Sequence, residues 1–513
     1  MGRLGEREAR TELVSGGRRT IRTLLVANRG EIAVRVFRTA REMGIGTIAV
    51  FAEDDVLAVH VERADRALPL GGGPVVDTYL SIPKILEAAR KAGADAIHPG
   101  YGFLAENAEF ARAVEEAGFV WVGPPASAIE AMGDKVRSRA RMRAAGVPVV
   151  PGSETGAGDA ALVDEGARLG FPVLVKASAG GGGKGMARVE SAVELPAALA
   201  EARRIAAAAF GDDTLYLEKL LEPARHVEFQ VFADRSGNVV HLFERECSVQ
   251  RRHQKIVEET PSPALDPTLR REMGRAAVDA AAAVGYVGAG TVEFLLDADR
   301  RFYFLEMNTR LQVEHPITEV TLGLDLVRWQ LEVAAGVELP ASLGSGDLLP
   351  RGHAIELRLY AEDPVEFLPR TGTLLLWREP AGPGVRVDSG VERGSVVSLE
   401  YDPLLAKLVV HAEDRVRAIE RARRALSEWT VLGVETNASV LEAVLASEEF
   451  RSGEYATDLV TRLPRKGRAP APDEVWIAAA LALADREDVR GAETPGSDPW
   501  SAFEGWRAGE SGS

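Results

Sequence analysis

Glu306, Asn308, Arg310, Gln312 and Glu314 occupy every second position of one short stretch, alternating with Met307, Thr309, Leu311 and Val313. In an extended segment side chains alternate between faces, so the five polar groups are expected to point the same way. A solvated strand face usually mixes Thr, Ser and Lys. This one carries carboxylate, amide, guanidinium, amide and carboxylate, which is equipment for a metal ion and a small anion. Upstream, Gly290-Thr-Val-Glu293-Phe-Leu-Leu reads as a second strand, joined to the first through Asp297-Ala-Asp-Arg-Arg301. Antiparallel pairing about that turn predicts that Glu293 stands beside Glu306. Facing carboxylates repel unless a cation lies between them, and hard oxygen donors suit Mg²⁺ or Mn²⁺. An ordinary polar sheet face is the competing reading of this stretch taken alone.

A site of this kind needs a scaffold, and the chain is long enough to build several. Its 513 residues exceed one hydrophobic core, so three or more compact units are expected. A net charge of −16 argues against nucleic acid as a partner, because phosphate backbones call for cationic surfaces. No apolar run is long enough to span a membrane, and the mixed Arg and Glu of the first twenty residues do not form a secretory signal. Cys247, the only cysteine, excludes an internal disulfide and a cysteine-cluster metal site, and it reads as an inert small side chain. These features give the expectation of a cytoplasmic protein. Lysines are few, at positions 84, 91, 135, 176, 184, 219, 255, 407 and 466, in a chain that otherwise uses arginine. Such economy suggests that lysine is kept where a compact ammonium is needed.

From Ile21 to Ala27, a helix from about Gly30 to Met43, Thr47 to Phe51, a helix from Ser81 to Ala92 and Ala96 to His98 alternate as strand and helix. That alternation predicts a parallel sheet covered by helices. Gly100-Tyr101-Gly102 follows a strand, where open α/β sheets place ligand loops. Gly44-Ile-Gly46 mimics a dinucleotide fingerprint but lies between a helix and a strand, the wrong order, and is set aside. After Pro151 a small unit is expected. It has two strands, Val173 to Lys176 and Met186 to Val189, around a glycine-rich loop, then a helix from Leu195 to Ala209. A larger α+β body runs from about 223 to 462, followed by a Pro/Arg-rich linker and a short helix from Glu474 to Arg486.

Between those two strands lies Lys176-Ala-Ser-Ala-Gly180-Gly181-Gly182-Gly183-Lys184-Gly185. Consecutive glycines let backbone N–H groups converge on an anion without Cβ obstruction. Gly185 stands where a Walker A loop needs Ser or Thr, and the loop joins strands instead of opening a helix. The glycines alone fit a bare hairpin tip equally well. The lysines at 135, 176 and 184 favour a nucleotide, with metal-binding carboxylates on a sheet below: a phosphoryl-transfer arrangement.

With these residues in place the chain resembles the ATP-grasp enzymes, and within them the biotin carboxylase component of biotin-dependent acyl-CoA carboxylases. The matching strings are Ala27-Asn-Arg-Gly-Glu31-Ile-Ala, His98-Pro-Gly-Tyr-Gly-Phe-Leu-Ala-Glu-Asn107, Met132-Gly-Asp-Lys135, the glycine loop, and His226-Val-Glu-Phe-Gln230. Further on come Cys247-Ser-Val-Gln-Arg-Arg-His-Gln-Lys255, the run from Glu306 to Glu319, His353-Ala-Ile-Glu-Leu-Arg358-Leu-Tyr-Ala-Glu-Asp363 and Tyr401-Asp-Pro-Leu-Leu-Ala-Lys407. They follow the family's order across residues 20 to 462. Leu357 replaces a cysteine common in relatives.

The resemblance implies an α/β and α+β protein. Its parts would be a parallel pre-ATP-grasp domain at 20–133, an ATP-grasp domain at 134–350 with a lid at about 152–222, and a biotin carboxylase C-terminal domain at 351–462. Residues 463–513 would form a linker and tail that open a partner-docking domain. It implies that Lys135, Lys176, Glu218, Leu220, His226 and Gln250 contact ATP, with Gly180, Gly181, Gly182, Gly183 and Gly185 closing over the phosphates. Glu293, Glu306 and Asn308 would hold Mg²⁺ or Mn²⁺. Arg310, Gln312, the Val313 N–H and Glu314 would bind bicarbonate, with Glu314 as base, Lys255 steadying carboxyphosphate and Arg358 stabilising the biotin enolate. His253, His315 and Cys247 are not expected to do chemistry.

The implied reaction is the ATP- and bicarbonate-dependent carboxylation of biotin N1. No methionine here is followed by lysine, so the Met-Lys-Met hairpin of a biotinyl domain is missing. The expectation is biotin delivered on a separate carrier protein or domain, or a chain truncated from a longer subunit. A carboxyltransferase partner and a homodimer within a larger complex are further implications. Two other readings compete: another ATP-grasp carboxylate ligase working through an acyl-phosphate, and a non-catalytic nucleotide-binding subunit.

Overall fold

The structure is a computed structural model that describes residues 13–14, 18–153, 157–178, 186–252, 254–344 and 348–464, with positions 473, 475 and 477. Residues 1–465 form one compact unit and 466–513 another. Within the second, positions 473, 475 and 477 are helical, and the rest of the helix expected there lies outside the described residues.

The first sheet is built as the sequence alternation predicts. Strands β1 (Thr23–Val26), β2 (Gly46–Ala52), β3 (Arg66–Gly71), β4 (Ala96–His98) and β5 (Val120–Trp121) lie parallel in the order β3-β2-β1-β4-β5. Leu24, Leu25 and Val26 are wholly buried, as expected for a strand covered on both faces. Helix α1 (Gly30–Glu42) presents Ile32, Ala33, Val36, Phe37 and Ala40 at the three- and four-residue spacing of one apolar stripe. That stripe shares its core with Phe232, Leu242, Leu311 and Leu331, so the first sheet is packed directly onto the body that follows. Asn28, just before α1, donates to the carbonyls of Pro99 and Tyr101 at 2.8 Å each. Gly100 between them has φ +66°, and a Cβ there would stand 2.8 Å from Asn28 Nδ2. Glycine is therefore required, and the tips of β1 and β4 are locked side by side.

The small unit differs from expectation by one strand. It contains β6 (Val173–Ala177), β7 (Ala187–Val189) and β8 (Leu215–Lys219), with β6 central, backed by an alanine-rich helix at Leu195–Phe210. The third strand carries Leu215 and Leu217 into the apolar core beneath that helix. Its Tyr216 and Glu218 lie on the opposite face by alternation.

The main body is an antiparallel sheet that among the described residues has eight strands. They are β9 (Ala224–Ala233), β10 (Val239–Arg251), β11 (Gln254–Thr260), β12 (Gly288–Asp297), β13 (Phe302–Asn308), β14 (His353–Tyr360), β15 (Val385–Ser389) and β16 (Leu404–Ala412). Their order is β13-β12-β9-β10-β11-β14-β16-β15. Pairing of β14 and β16 places Ile355, Leu357, Val410 and Leu408 against helix α2 (Arg415–Glu428) on one face. The other face receives the short helix His315–Leu322 and, as shown next, a continuous field of charge.

Candidate functional site

Cross-strand register assembles the site. Arg245 pairs with Glu228, Glu228 with Glu293, and Glu293 with Glu306, giving one row of charged side chains across β10, β9, β12 and β13. The Glu293–Glu306 pairing is the one predicted from the hairpin. In the neighbouring row Thr291 stands between Gln230 and Asn308. Farther along, Glu258 pairs with Glu356, and Arg358 lies between β11 and Lys407, which in turn pairs with Asp388.

The strand carrying Glu306 stops at Asn308, which corrects the expectation of a single extended face through Glu314. Thr309 donates its N–H to Glu106 Oε1 at 3.1 Å, a side chain from the loop after β4, in place of a strand partner. Residues 309–314 then turn across the sheet, and Pro316 opens the helix His315–Leu322. The polar side chains still converge, but by contact. Asn308 Nδ2 and Gln312 Nε2 donate to Glu293 Oε1 at 2.7 and 3.0 Å. Arg310 donates to Asn308 Oδ1 at 3.0 Å, to Gln312 Oε1 at 2.7 Å and to Glu106 Oε2 at 2.9 Å.

Lys255 sits at the centre. Its Nζ donates to Glu293 Oε1 at 2.8 Å, to Glu314 Oε1 at 2.9 Å and to Glu228. Arg358 Nη2 donates to the other Glu314 oxygen at 2.9 Å. His226 Nε2 lies 2.7 Å from Glu293 Oε2, out of hydrogen-bond alignment, and Gln250 Nε2 is 2.9 Å from His226 Nδ1. Burial pushes Glu293 and Glu314 towards the neutral form, but the cations outweigh it and hold both well below the ordinary carboxylate range. Lys255 and His226 act on Glu293, and Lys255, Arg358 and Arg245 on Glu314. Glu228 goes the other way, raised by burial and by the neighbouring charge of Glu314. Burial works against the Lys255 ammonium, yet the three carboxylates raise its pKa well above normal.

Of the residues implicated in nucleotide binding, Lys176 and Glu218 form an ion pair in the small unit, and Arg139 Nη1 is 3.1 Å from the same carboxylate. The Leu220 N–H donates to the Pro172 carbonyl at 3.2 Å. Lys135 is the first residue of the helix Lys135–Ala144. Gly180, Gly181, Gly182, Gly183, Lys184, Gly185 and His253 lie outside the described residues.

Beside the charged network opens a cleft of about 320 Å³, lined by Arg310, Val313, Arg358, Tyr101, Tyr360 and Tyr401 among others. The Arg358 Nε hydrogen is buried with no hydrogen-bond partner among the described residues. A donor left open beside a cleft is equipment for a ligand oxygen.

Several members of the network were not singled out in the sequence. Glu228 and Arg245 are wholly buried and central. The period-two run His226, Glu228, Gln230 carries the same signal that exposed Glu306 to Glu314, so Glu228 was accessible to that argument. Arg245, Glu106 and Lys407 had no such local signature, because their partners lie in distant segments.

The donor chemistry fits a hard divalent ion. Glu293 and Glu306 face each other across β12 and β13 and Glu293 is ionised, while Asn308 presents Nδ2 to Glu293 and Oδ1 to Arg310, so its amide has to turn to offer an oxygen to the ion. His226, Glu228 and Glu293 also bring ligand atoms together within 4.8 Å.

Comparison with known proteins gives a consistent result. Family profiles described as "Biotin carboxylase, N-terminal domain", "Carbamoyl-phosphate synthase L chain, ATP binding domain" and "Biotin carboxylase C-terminal domain" match residues 20–129, 134–342 and 356–462. A biotin carboxylase of Halalkalibacterium halodurans is 49% identical over 444 residues, covering 85% of this chain and 97% of that one. The mitochondrial methylcrotonoyl-CoA carboxylase subunit alpha of Rattus norvegicus is 46% identical over 492 residues, 94% of this chain and 68% of that one. Among solved structures, the biotin carboxylase domain dimer of Hydrogenobacter thermophilus 2-oxoglutarate carboxylase, in complex with MgADP and bicarbonate, superposes with a TM-score of 0.82. It has 44% identity, covering 86% of this chain and 98% of that one.

Proposed function

The chain belongs to the biotin carboxylase family, and from that premise we propose which of its residues perform the ATP- and bicarbonate-dependent carboxylation of biotin. The observation that carries the assignment is the convergence of Lys255, Glu293, Glu314 and Arg358 in one buried network beside an open cleft.

Lys135, Lys176, Glu218, Leu220, His226 and Gln250 serve the nucleotide, with the glycines 180–183 and 185 over its phosphates. A divalent ion held by Glu293, Glu306 and Asn308 supplies charge neutralisation to those phosphates when bound. Arg310, Gln312 and the Val313 N–H orient bicarbonate, the guanidinium matching a planar anion. Glu314 takes the bicarbonate proton. It is ionised at neutral pH, and Lys255 is the first of the cations that keep it so weakly basic. A phosphate oxygen that draws Lys255 away raises Glu314 and makes it a better base as the reaction starts. The freed oxygen attacks the γ-phosphorus to give carboxyphosphate, with ADP leaving, and Lys255 steadies the new anion. Carboxyphosphate breaks to CO₂ and phosphate, the phosphate removes the biotin N1 proton, and N1 attacks CO₂. Arg358, with its open Nε hydrogen, stabilises the enolate oxygen of the ureido ring in the cleft.

Biotin arrives on a carrier protein or domain, and a carboxyltransferase consumes the product. A homodimer within a larger assembly and a cytoplasmic location complete the proposal, as do domain limits near residues 133, 350 and 462. No helix of the described residues is long and apolar enough to cross a membrane. The test is phosphate release from MgATP by the purified chain, with and without bicarbonate and free biotin. Stimulation that needs both is the expected result. Turnover that needs bicarbonate but ignores biotin would instead indicate another ATP-grasp ligase.

A further inference from the structure

Lys407, in the middle of β16, is fully buried at 0% exposure. Lysine is seldom enclosed unless its ammonium is matched, and here three separate segments match it. Its Nζ donates to the Val313 carbonyl at 2.7 Å, stands 3.3 Å from Glu31 Oε2, and lies 5.9 Å from the centre of the Tyr101 ring. Glu31 belongs to the first turn of α1, Tyr101 to the loop after β4, and Val313 to the 309–314 turn that crosses the sheet. The junction is tight. A Cβ on Gly390, at the end of β15, would stand 2.5 Å from the Glu31 nitrogen.

The contacts divide the work unequally. Neither Glu31 oxygen is hydrogen-bonded, and burial lifts this carboxyl to about 7 against the pull of Lys407. Glu31 therefore balances charge without claiming the directed hydrogen bond, which goes to Val313. That carbonyl shares its rigid peptide plane with the N–H of Glu314. The Glu314 carboxyl is already gripped from two sides, by Lys255 and Arg358. Lys407 grips the backbone from below.

We propose that Lys407 is a positioning residue for bicarbonate: by holding the Val313 carbonyl it fixes the Val313–Glu314 peptide, and with it the main chain from which the Glu314 carboxyl is presented. The inference rests on the biotin carboxylase reading of the 309–314 turn. Lys407 touches no substrate; it acts through the main chain of the residues that do. A compact ammonium suits the task, since it serves a carbonyl and a carboxylate at once.

The double variant Lys407→Met with Glu31→Gln removes this ion pair as a unit, leaving Asp388 to Arg386 and Glu356 to Arg358, while the Val313 carbonyl loses its donor. Melting temperature, MgADP affinity and bicarbonate-dependent phosphate release with free biotin are measured on parent and variant. The expected result is near-parental melting and MgADP affinity with kcat/KM for bicarbonate reduced up to about a hundredfold, as for a displaced reacting group. A kcat/KM for bicarbonate within about twofold of the parent overturns the inference, since a structural charge pair would behave in that way. So does an equal loss of MgADP affinity and bicarbonate use, which marks general collapse. Should the double variant fail to fold, Lys407→Met alone is measured, since Glu31, already lifted to about 7, can take up a proton in place of the lost cation. A kcat/KM for bicarbonate within about twofold of the parent again overturns the inference. A parent enzyme without bicarbonate-dependent turnover would sink the underlying reading, and this one with it.

Discussion

Glu258 and Glu259 are consecutive residues of β11, both with 0% exposure, and they sit in opposite chemical worlds. Glu259 points to the side packed by α2. There it accepts from His353 Nε2 at 2.6 Å, from Arg415 Nε and Nη2 at 2.7 and 2.9 Å, and from Tyr455. Burial would raise its pKa, but these partners bring it down to about 2. Glu258 points to the site. It lies 2.6 Å from Arg358 Nη2, yet neither of its oxygens makes a hydrogen bond, and burial lifts it to about 7. One face of the strand holds a saturated network that closes the fold. The other holds under-satisfied charge, which costs stability and leaves donors and acceptors for a ligand. The lesson is that two equally buried, adjacent carboxylates can be driven in opposite directions by the completeness of their hydrogen bonding.

Substitutions on the two faces should therefore fail differently. On the site face, Glu314→Gln keeps the size of the side chain and removes the proposed base. Bicarbonate-dependent phosphate release should fall by about 10² to 10⁴ while melting stays close to the parent. Full bicarbonate-dependent turnover in this variant would remove Glu314 from the mechanism. On the packed face, Glu259→Gln leaves the partly buried Arg415 guanidinium without its carboxylate. The expected cost is about 3–5 kcal/mol of stability in chemical denaturation, with turnover per folded molecule unchanged. Loss of activity without loss of stability there would erase the contrast between the faces.

How far the sequence reached follows the same division. The Glu293–Glu306 pairing and the charged run to Glu314 were legible because period-two alternation and a short turn are local signals. The end of the strand at Asn308 was not. It depends on Glu106, 203 residues away, capturing the Thr309 N–H. The parallel character of the first sheet was legible in three strands alternating with helices, but β3 and β5 were not, and the small unit likewise gained β8, whose short Leu-Tyr-Leu run has no turn partner next to it. The different fates of Glu258 and Glu259 were invisible. Adjacent identical residues carry no record of whether an arginine from β14 or from α2 will meet them. Lys407 was noticed only as part of a motif and as one of few lysines; its grip on Val313 emerges once β16 is folded under the turn.

The pH dependence of stability extends the comparison. Glu259 is depressed in the folded state, so its stabilisation is fully present above the unfolded carboxylate pKa and is lost as pH falls towards about 2. The gap in stability between the parent and Glu259→Gln should therefore narrow as pH is lowered below about 4. A gap that stays constant through that window would mean that Glu259 is held by packing and not by its charge.

Glu258 has the opposite sign. Its folded pKa is raised, so the folded state takes up a proton that the unfolded chain has lost, and stability declines as pH rises from the unfolded carboxylate value to about 7. Above that pH the folded protein carries the whole cost of an ionised carboxylate without hydrogen bonds. Glu258→Gln imitates the protonated form and removes this cost. The variant should be more stable than the parent by about 1 kcal/mol at alkaline pH, with the gain shrinking at mildly acidic pH. Arg358 keeps its hydrogen bond to Glu314 in this variant, so biotin-dependent turnover should survive. Paired melting curves at the two pH values decide the matter. A Glu258→Gln protein as destabilised as Glu259→Gln would show that Arg358 needs both carboxylates, and that the site face is as tightly closed as the packed one.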